Sequence, residues 1–463
     1  MSGWYGLHIA GRPYMVRPMQ WATAAERTAL GQARRKQIGR QRHDECTTKS
    51  RKTSSLVLLQ RSMKGRVAGL VKHKYELMAD SPFGYFRGAV PVMAFDLAAM
   101  PSTGIVAQLC GDAHVRNLGA YAAPDGRLVF DINDFDETIR GPFEWDLKRM
   151  AASVTLAGRG ARQKDAACRE AVERFVLRYA TQMRAFAQMP MIEIGRHQVH
   201  RISKVAPIHD ALIKAERATP LHTLEQLTEP SSDKVGAARR FRESKPLLTR
   251  VTAAVATAVL DSLEPYREVL EPQRQHLLSF YQPVDVAFKV VGTGSVGLRD
   301  YCVYFEGNSA MDPLFLQIKE EPASGYAPYL PDANPPHQNG QRVAEGQKAM
   351  QIQSDPFLGW THISGRQYLV RQLNDHKGSI CLEDLAGPAL VAFAEVCGEL
   401  LARGHARSGD PLVIAGYLGS GGRFAEALGK FGAAYADQTE RDWEELRRSR
   451  KLGKARKTVV SGQ

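Results

Sequence analysis

Apolar residues recur at helical spacing from about Leu56 to Met100, with a break at Ser81-Pro82-Phe83-Gly84. The period then shortens. Ile105 to Leu109, Leu118 to Ala122 and Arg127 to Ile132 read as short strands, the last two joined through the turn chemistry of Pro124-Asp125-Gly126. Helical patterning resumes from Trp145 to about Met189, and a polar stretch from Glu216 to Lys245, with Pro220, Pro230 and Ser231-Ser232, reads as a connection between halves. The second half opens with a helix over Val251 to Leu270. Strands follow at Val284 to Val291, Tyr301 to Phe305, Leu314 to Lys319 and Gln367 to Leu373, with a helix over Gly340 to Gln353 and further helices from Leu382 onward. No repeat at a fixed period is present, so the pattern predicts an α+β fold rather than a solenoid.

Composition narrows the class. Hydrophobic residues at 44% and charged residues at 24% of 463 positions exclude a largely disordered or fibrous chain. The longest apolar stretch, Gly387 to Ala402, carries Glu395 and Glu399 and reads as a buried helix rather than a membrane span. Trp4 and Tyr5 have no long apolar run behind a basic start, so a signal peptide is not expected, and six scattered cysteines without a Cys-x-x-Cys pair fit a reducing, cytoplasmic setting. A formal charge of +13 favours anionic partners: nucleotides, nucleic acid or anionic lipid. Much of it lies in Arg27 to Lys74 and in Arg447 to Lys457, which read as a partly loose arm and tail, solvated or docking an acidic partner.

Candidate chemistry begins at Gly111-Asp112-Ala113-His114-Val115-Arg116-Asn117, followed after the hairpin by Asp131-Ile132-Asn133-Asp134-Phe135-Asp136-Glu137. Crowded carboxylates raise one another's pKa unless a cation lies between them, and hard oxygen donors without cysteine suit magnesium or manganese. This run resembles the catalytic loop of protein-kinase-like phosphotransferases, especially the aminoglycoside and choline kinase branch, where Gly-Asp-x-His-x-x-Asn precedes a hairpin and a second aspartate. Gly141-Pro142-Phe143-Glu144-Trp145-Asp146-Leu147 is similar to that branch's later Asp-Leu at a helix start. The resemblance implies that Asp112 accepts the substrate hydroxyl's proton, that Asn117 and Asp134 hold the metal with Asp131 and Asp136 as second choices, that His114 orients the loop, and that Asp146 braces it.

A second constellation lies at Lys289-Val290-Val291-Gly292-Thr293-Gly294-Ser295-Val296-Gly297, between two apolar strands. Glycines let a backbone approach phosphates closely, and consecutive amides can cradle oxygen anions. A strand following the glycines, rather than a helix, fits a kinase-type flap over a dinucleotide fold, with Gly292, Thr293, Gly294, Ser295 and Gly297 as the candidate phosphate contacts. Leu314 to Lys319 is similar to the kinase-like strand whose lysine reaches the α- and β-phosphates. Its partner is expected to be a helical acid, Glu345. Glu320 and Glu321 lie too near Lys319 in the chain for that part.

An ordinary kinase-like chain runs glycine flap, lysine, helical glutamate, hinge strand, then catalytic loop; here the catalytic loop comes first. The fold implied is therefore a protein-kinase-like two-lobe α+β fold, circularly permuted, with extra helices. Its expected divisions are a basic arm at 1–55, a helical lobe with the catalytic and metal loop at 56–245, a small β-rich nucleotide-binding lobe at 246–380, helices returning to the large lobe at 381–445, and a basic tail at 446–463. His405 or Asp410 could belong to the catalytic loop instead, but no Asn and second Asp follow them, and they read as a helix end facing the cleft.

From roughly Arg34 to Glu440 the sequence also resembles the bacterial family catalogued as domain of unknown function 2252. The resemblance runs through Ser81-Pro82-Phe83, Phe86-Arg87-Gly88, Gly111-Asp112-Ala113-His114, Asn133 to Glu137, Trp145 to Arg149, Val290-Val291-Gly292, Gly346-Gln347, Phe357 to Trp360 and Tyr435 to Gln438. The expectation is a magnesium-dependent, ATP-dependent phosphotransferase acting on a hydroxyl of an unidentified acceptor, with manganese as the substitute ion. The alternatives are adenylyl transfer on the same fold, metal-dependent phosphoester hydrolysis, and a non-catalytic scaffold binding nucleotide or, through the basic ends, nucleic acid. Arg87, Arg371 and Lys377 stand as candidates for substrate contact or for structural pairing.

Overall fold

The computed structural model describes residues 5–9, 12–16, 22–199, 205–231, 239–290, 292–373 and 377–460. Trp4, Val291, Ser232 and Asn374 to His376 lie outside the described residues. The protein is mixed α+β, with a helical body and a six-stranded antiparallel sheet.

The sheet runs, in spatial order, Gly359–Ile363, Arg366–Gln372, Pro313–Glu320, Asp300–Glu306, Gln282–Lys289 and Leu248–Arg250. Its central strand, Pro313–Glu320, is buried at every position, as a strand covered on both faces must be. One face packs on the helices Ala253–Asp261, Leu263–Glu268 and Pro272–Leu278 through Val286, Val303, Leu316, Ile318 and Val370. On the other face Ala287, Cys302, Tyr304 and Phe315 are covered by Leu224 and Phe241. The polar connection of 216–245 thus contributes a helix, Pro220–Leu227, that caps the sheet. Register sets Asp300 opposite Lys319 and Lys319 opposite Leu369, so Lys319 shares with Ala287 and Cys302 the face turned from the outer helices. The short strand Gly359–Ile363 was absent from the sequence expectation; its five residues carry too little alternation to separate it from a loop.

The helical body has one large core. Helix Pro388–Ser408 crosses Asp165–Ala187 at Gly398, where a Cβ would lie 2.4 Å from the Phe175 carbonyl oxygen. Two small sheets sit in this body: Val106–Leu109 pairs with Ile139–Pro142, and the hairpin Leu118–Ala122 and Leu128–Ile132 gains Gly378–Ser379 as a third strand. Ser81 caps the helix Pro82–Gly88 through its Oγ, 3.0 Å from the Gly84 N–H, with Pro82 in the first turn where its missing donor costs nothing.

The segments expected to be loose carry regular structure. Ala24–Gln37 is a helix laid on Pro411–Leu418, with Arg35 and Arg40 donating to the Tyr417 and Leu418 carbonyls at 2.9 and 2.6 Å. Helix Gly422–Val460 runs through most of the basic tail. Arginine guanidinium groups satisfy free carbonyls at a helix end well, which turns this charge from a solvated fringe into a fastening.

Arg51 shows the same use of charge in the core of the contact. It donates to both oxygens of Asp96, at 2.8 and 2.6 Å, and to both of Asp442, at 3.0 and 2.9 Å. Removing the guanidinium leaves two buried carboxylates facing each other. Arg51→Met is expected to lower the unfolding free energy by about 3–5 kcal/mol in urea titration; a loss below roughly 1 kcal/mol would show that the pairings contribute only packing.

Candidate active site

The loop 110–117 is gripped by one face of the helix Glu144–Gly160. Asp146 accepts from the N–H groups of Cys110 and Gly111 at 2.8 and 3.0 Å, Arg149 pairs with Asp112, and Ser153 Oγ accepts from the Val115 N–H at 3.0 Å. These three polar residues lie on one side of a largely buried helix, so the helix holds the loop at three successive points. His405 completes the support from behind: its Nε2 lies 3.2 Å from Asp146 and its Nδ1 2.9 Å from the Tyr179 hydroxyl. Gly111 has φ +84°, and a Cβ there would sit 2.1 Å from the Glu137 carbonyl oxygen, so the loop can lie against residue 137 only with glycine at this place.

Arg149 is fully buried and holds Asp112 Oδ1 with Nε at 2.6 Å and Nη2 at 2.5 Å. The second oxygen, Oδ2, is 3.6 Å from His114 Nε2. Burial raises the Asp112 pKa above the ordinary carboxylate value while Arg149 opposes the rise. His114 is held well below its usual pKa by burial and by Arg87, Arg149 and Arg116, so it stands neutral beside Asp112. Asn117 donates its side-chain N–H to the Asp112 carbonyl at 2.9 Å, which leaves its own oxygen for another partner.

Across the hairpin the acidic residues divide. Asp131 turns away: its Oδ1 accepts from Arg403 at 2.5 Å and from the Ile132 N–H at 2.7 Å, and it lines a separate cavity of about 220 Å³ with Tyr121 and Arg403. It is therefore corrected from candidate metal ligand to buried ion-pair partner. A one-residue step along a strand sends consecutive side chains to opposite faces, and the partner that takes Asp131, Arg403, comes from the distant helix Pro388–Ser408. Asp134 and Asp136 remain together, with the Asp136 N–H 3.3 Å from Asp134 Oδ1. Burial and the neighbouring Asp136 charge push Asp134 up to about 6. Asp136, although burial works against its charge, is held below the usual range by Lys319.

Lys319 meets Asp136 directly, across 183 residues of sequence, and Ser295 Oγ donates to the same Asp136 oxygen at 2.9 Å. The glycine-rich loop, the lysine strand and the second aspartate run therefore converge on one carboxylate. Asp112, Asn117, Asp134 and Asp136 line the same cavity as Gly292, Gly294 and Ser295. That cavity is small, about 70 Å³. Among the described residues the N–H groups of Thr293, Gly294 and Ser295 have no acceptor, which makes them three consecutive free amides.

Glu345 does not join them. It is exposed on the helix Asn339–Met350 and accepts from Gln341 at 2.7 Å. The inward residue of that helix is Arg342, which donates to the carbonyls of Asp136, Thr138 and Pro322 at 2.9, 2.6 and 3.0 Å. The carboxylate near Lys319 is instead Glu321, Oε1 to Nζ 3.8 Å, because a strand places residues two apart on the same face. Both Glu321 oxygens and Asp136 Oδ1 are buried without hydrogen-bond partners. Glu320 faces the other way, to Arg299 and Arg366. His405 is fully buried behind the loop, and Asp410 caps the helix Pro411–Leu418 and pairs with Arg27, so neither faces the cavity. Arg371 donates to Gln317 at 2.9 Å.

Two residues that complete the site were not among the site residues expected from the sequence. Arg149 could have been found from its spacing to Asp146, since three positions along a helix share a face; Lys74, buried in the helix Ala68–Asp80, could not, because an isolated lysine in an amphipathic run gives no sign of its partner. Among the described residues no group of three or more His, Cys, Asp or Glu side chains is arranged to hold a metal.

The profile of the bacterial family described as an uncharacterised protein conserved in bacteria (DUF2252) matches residues 66–449, and the chain belongs to that family. The matched segment contains Asp112, Asn117, Asp134, Asp136, Gly292, Gly294, Ser295 and Lys319. No curated protein and no solved structure matches the chain. No helix among the described residues is long and apolar enough to cross a membrane.

The raised Asp134 pKa gives a test of this electrostatic arrangement. Above pH 6 the folded state carries a carboxylate that its surroundings disfavour; as pH falls from about 6 towards the ordinary value of 3.8, protonation removes that cost. Asp134→Asn is therefore expected to be more stable than the native chain at pH 7.5, with the difference shrinking between pH 6 and 4 in thermal unfolding. A variant equally or less stable at pH 7.5 would contradict the crowding of Asp134 and Asp136.

Proposed function

We infer that the protein is a magnesium-dependent phosphotransferase that uses ATP, with a circularly permuted kinase-like arrangement of its parts. The carrying observation is that the acidic loop run and the glycine loop, distant in sequence, line one cavity, with Lys319 fixed to Asp136 beside it. Phosphoryl transfer needs positioning and charge compensation more than a strong nucleophile, and this set supplies both. The sheet supports the fold reading: the glycine-loop strands, the lysine strand and the strand leading to residues 373–377 are neighbours, with the helix Asn339–Met350 inserted after the lysine strand. So does the junction at the other end. Ser408 Oγ accepts from the Gln108 N–H at 3.2 Å, and a Cβ at Gly409 would lie 3.1 Å from Ala107 Cβ. The helix that ends at residue 408 thus abuts the strand that leads into the catalytic loop, and joining the two would restore the ordinary order. Packing depends on spatial neighbours, so such a rearrangement is physically permissible.

In this reading Asp112, oriented by Arg149, takes the acceptor hydroxyl's proton, and Lys319 and the loop amides of Thr293, Gly294 and Ser295 hold phosphate oxygens. Asp134, Asp136 and the free oxygen of Asn117 would hold magnesium. The donor set suits it: all are oxygens, Asp136 Oδ1 is buried and unpartnered, and magnesium needs only one or two carboxylates when substrate phosphates and water fill the other positions. The ion would neutralise charge on the transferring phosphoryl group.

Calorimetric titration of the full chain with magnesium-ATP, followed by incubation with ATP labelled separately in the α- and γ-phosphate and a panel of hydroxyl acceptors, tests the reading. Expected are saturable binding and transfer of γ-label, lost about 1,000-fold or more in Asp112→Asn with nucleotide affinity kept, and a roughly tenfold weaker nucleotide affinity in Lys319→Met. Transfer of α-label would identify adenylyl transfer instead. Absence of nucleotide binding at millimolar concentration, or unchanged turnover in Asp112→Asn, would refute the assignment.

A further inference from the structure

Three cations on the cavity wall belong to neither constellation. Arg66, Lys74 and Arg87 come from the segment just before the catalytic loop. Lys74 is 1% exposed and donates to the carbonyls of Thr293, at 3.2 Å, and Gly294. Arg66 donates to the Val296 carbonyl at 2.6 Å and the Ser62 carbonyl at 3.2 Å. Arg87 reaches Thr293 Oγ1 at 3.3 Å, and its Nε is buried with no partner.

None of the three has a carboxylate within ion-pair distance among the described residues. Of the acids on the same cavity, Asp112 pairs with Arg149, Asp136 with Lys319, and Glu137 accepts from the Gly325 N–H at 2.6 Å; Asp134 and Glu321 also line it, and neither is within ion-pair distance of the three cations among the described residues. Carbonyl dipoles and a hydroxyl compensate these three charges poorly, so each keeps donor capacity that no carboxylate at ion-pair distance takes up. An ammonium has three donors and a guanidinium five, and those shown are only partly used. A cavity of about 70 Å³ is also well below the roughly 300–1,000 Å³ of a site that encloses a whole organic ligand. It suits one small anion.

We propose that Arg66, Lys74 and Arg87 form an anion subsite for a single phosphate-class group, held beside Asp112. A tetrahedral oxyanion is the stronger partner, because charge-assisted hydrogen bonds are about twice as strong as those to neutral acceptors. The group is either the terminal phosphate of the nucleotide or a phosphate carried by the acceptor. Both share one chemistry. The subsite deepens the transferase reading by naming what faces Asp112, but anion binding stands on the cations alone.

The test is calorimetry of the full chain in phosphate-free, low-salt buffer, titrating inorganic phosphate into the native protein, Arg87→Gln and Lys74→Met. Binding to the native chain is expected, weakened tenfold or more in both variants, with thermal unfolding run alongside. If either variant lacks a cooperative transition, Arg87→Lys, which keeps the charge but not the fork, is titrated instead and is expected to bind between the two. Repeating the titration with a non-hydrolysable ATP analogue and magnesium present separates the sources: phosphate excluded by the analogue marks the nucleotide's own group, and phosphate bound alongside it marks the acceptor's. Phosphate binding without any magnesium-nucleotide binding would refute the transferase and keep the subsite. No phosphate binding by the native chain at about 10 mM, or folded variants that bind as the native chain does, overturns the proposal.

Discussion

The structure turns on one buried contact between opposite charges, Lys319 against Asp136. Neither group could be placed where it is alone, since an ammonium 2% exposed and a carboxylate beside another carboxylate are each strongly disfavoured by burial. Together they fix the sheet to the helical body at the place where the glycine-rich loop also arrives, through Ser295. Losing either partner would leave the other without its counter-charge in a largely buried site. The ion pair is thus a constraint on architecture before it is a part of any chemistry.

A second constraint acts on the loop that bears Asp112. Asp146, Arg149 and Ser153 hold its backbone and its carboxylate from one helix face, and His405 holds Asp146. The result is a carboxylate fixed at one oxygen and open at the other, beside a neutral imidazole. Rigid support of this kind is what positions a group for proton transfer without reorganisation. Both supports come from helices far apart in sequence, so the site depends on the whole body being folded.

Much of this arrangement was legible from residue order. The aspartate and asparagine of residues 112–117, the pair 134 and 136, the glycine loop and the lysine strand announced themselves by residue type and spacing, and all of them meet. Four of the sheet's six strands were readable because apolar β-branched, aromatic and leucine residues crowd them, whereas the short Leu248–Arg250 and Gly359–Ile363 were not. What failed was pairing over distance. Glu345 sits on the expected helix but on its exposed side, one position off a face that the sequence pattern did not resolve, and Glu321 reaches Lys319 because a strand, unlike a helix, brings residues two apart onto one side. Asp131 was drawn away by Arg403, which no local pattern connects to it. Lys74 and Arg66 were read as part of a basic arm, whereas burial against loop carbonyls makes them part of the cavity wall.

The claim that two separated stretches form one nucleotide site is tested most directly by hydrogen–deuterium exchange on the full chain with and without magnesium-ATP. Slowed exchange should appear together in residues 111–117, 133–136 and 292–319, over the same range of nucleotide concentration. Slowing confined to only one of these segments, or reached at clearly different concentrations in each, would mean that they do not share a ligand.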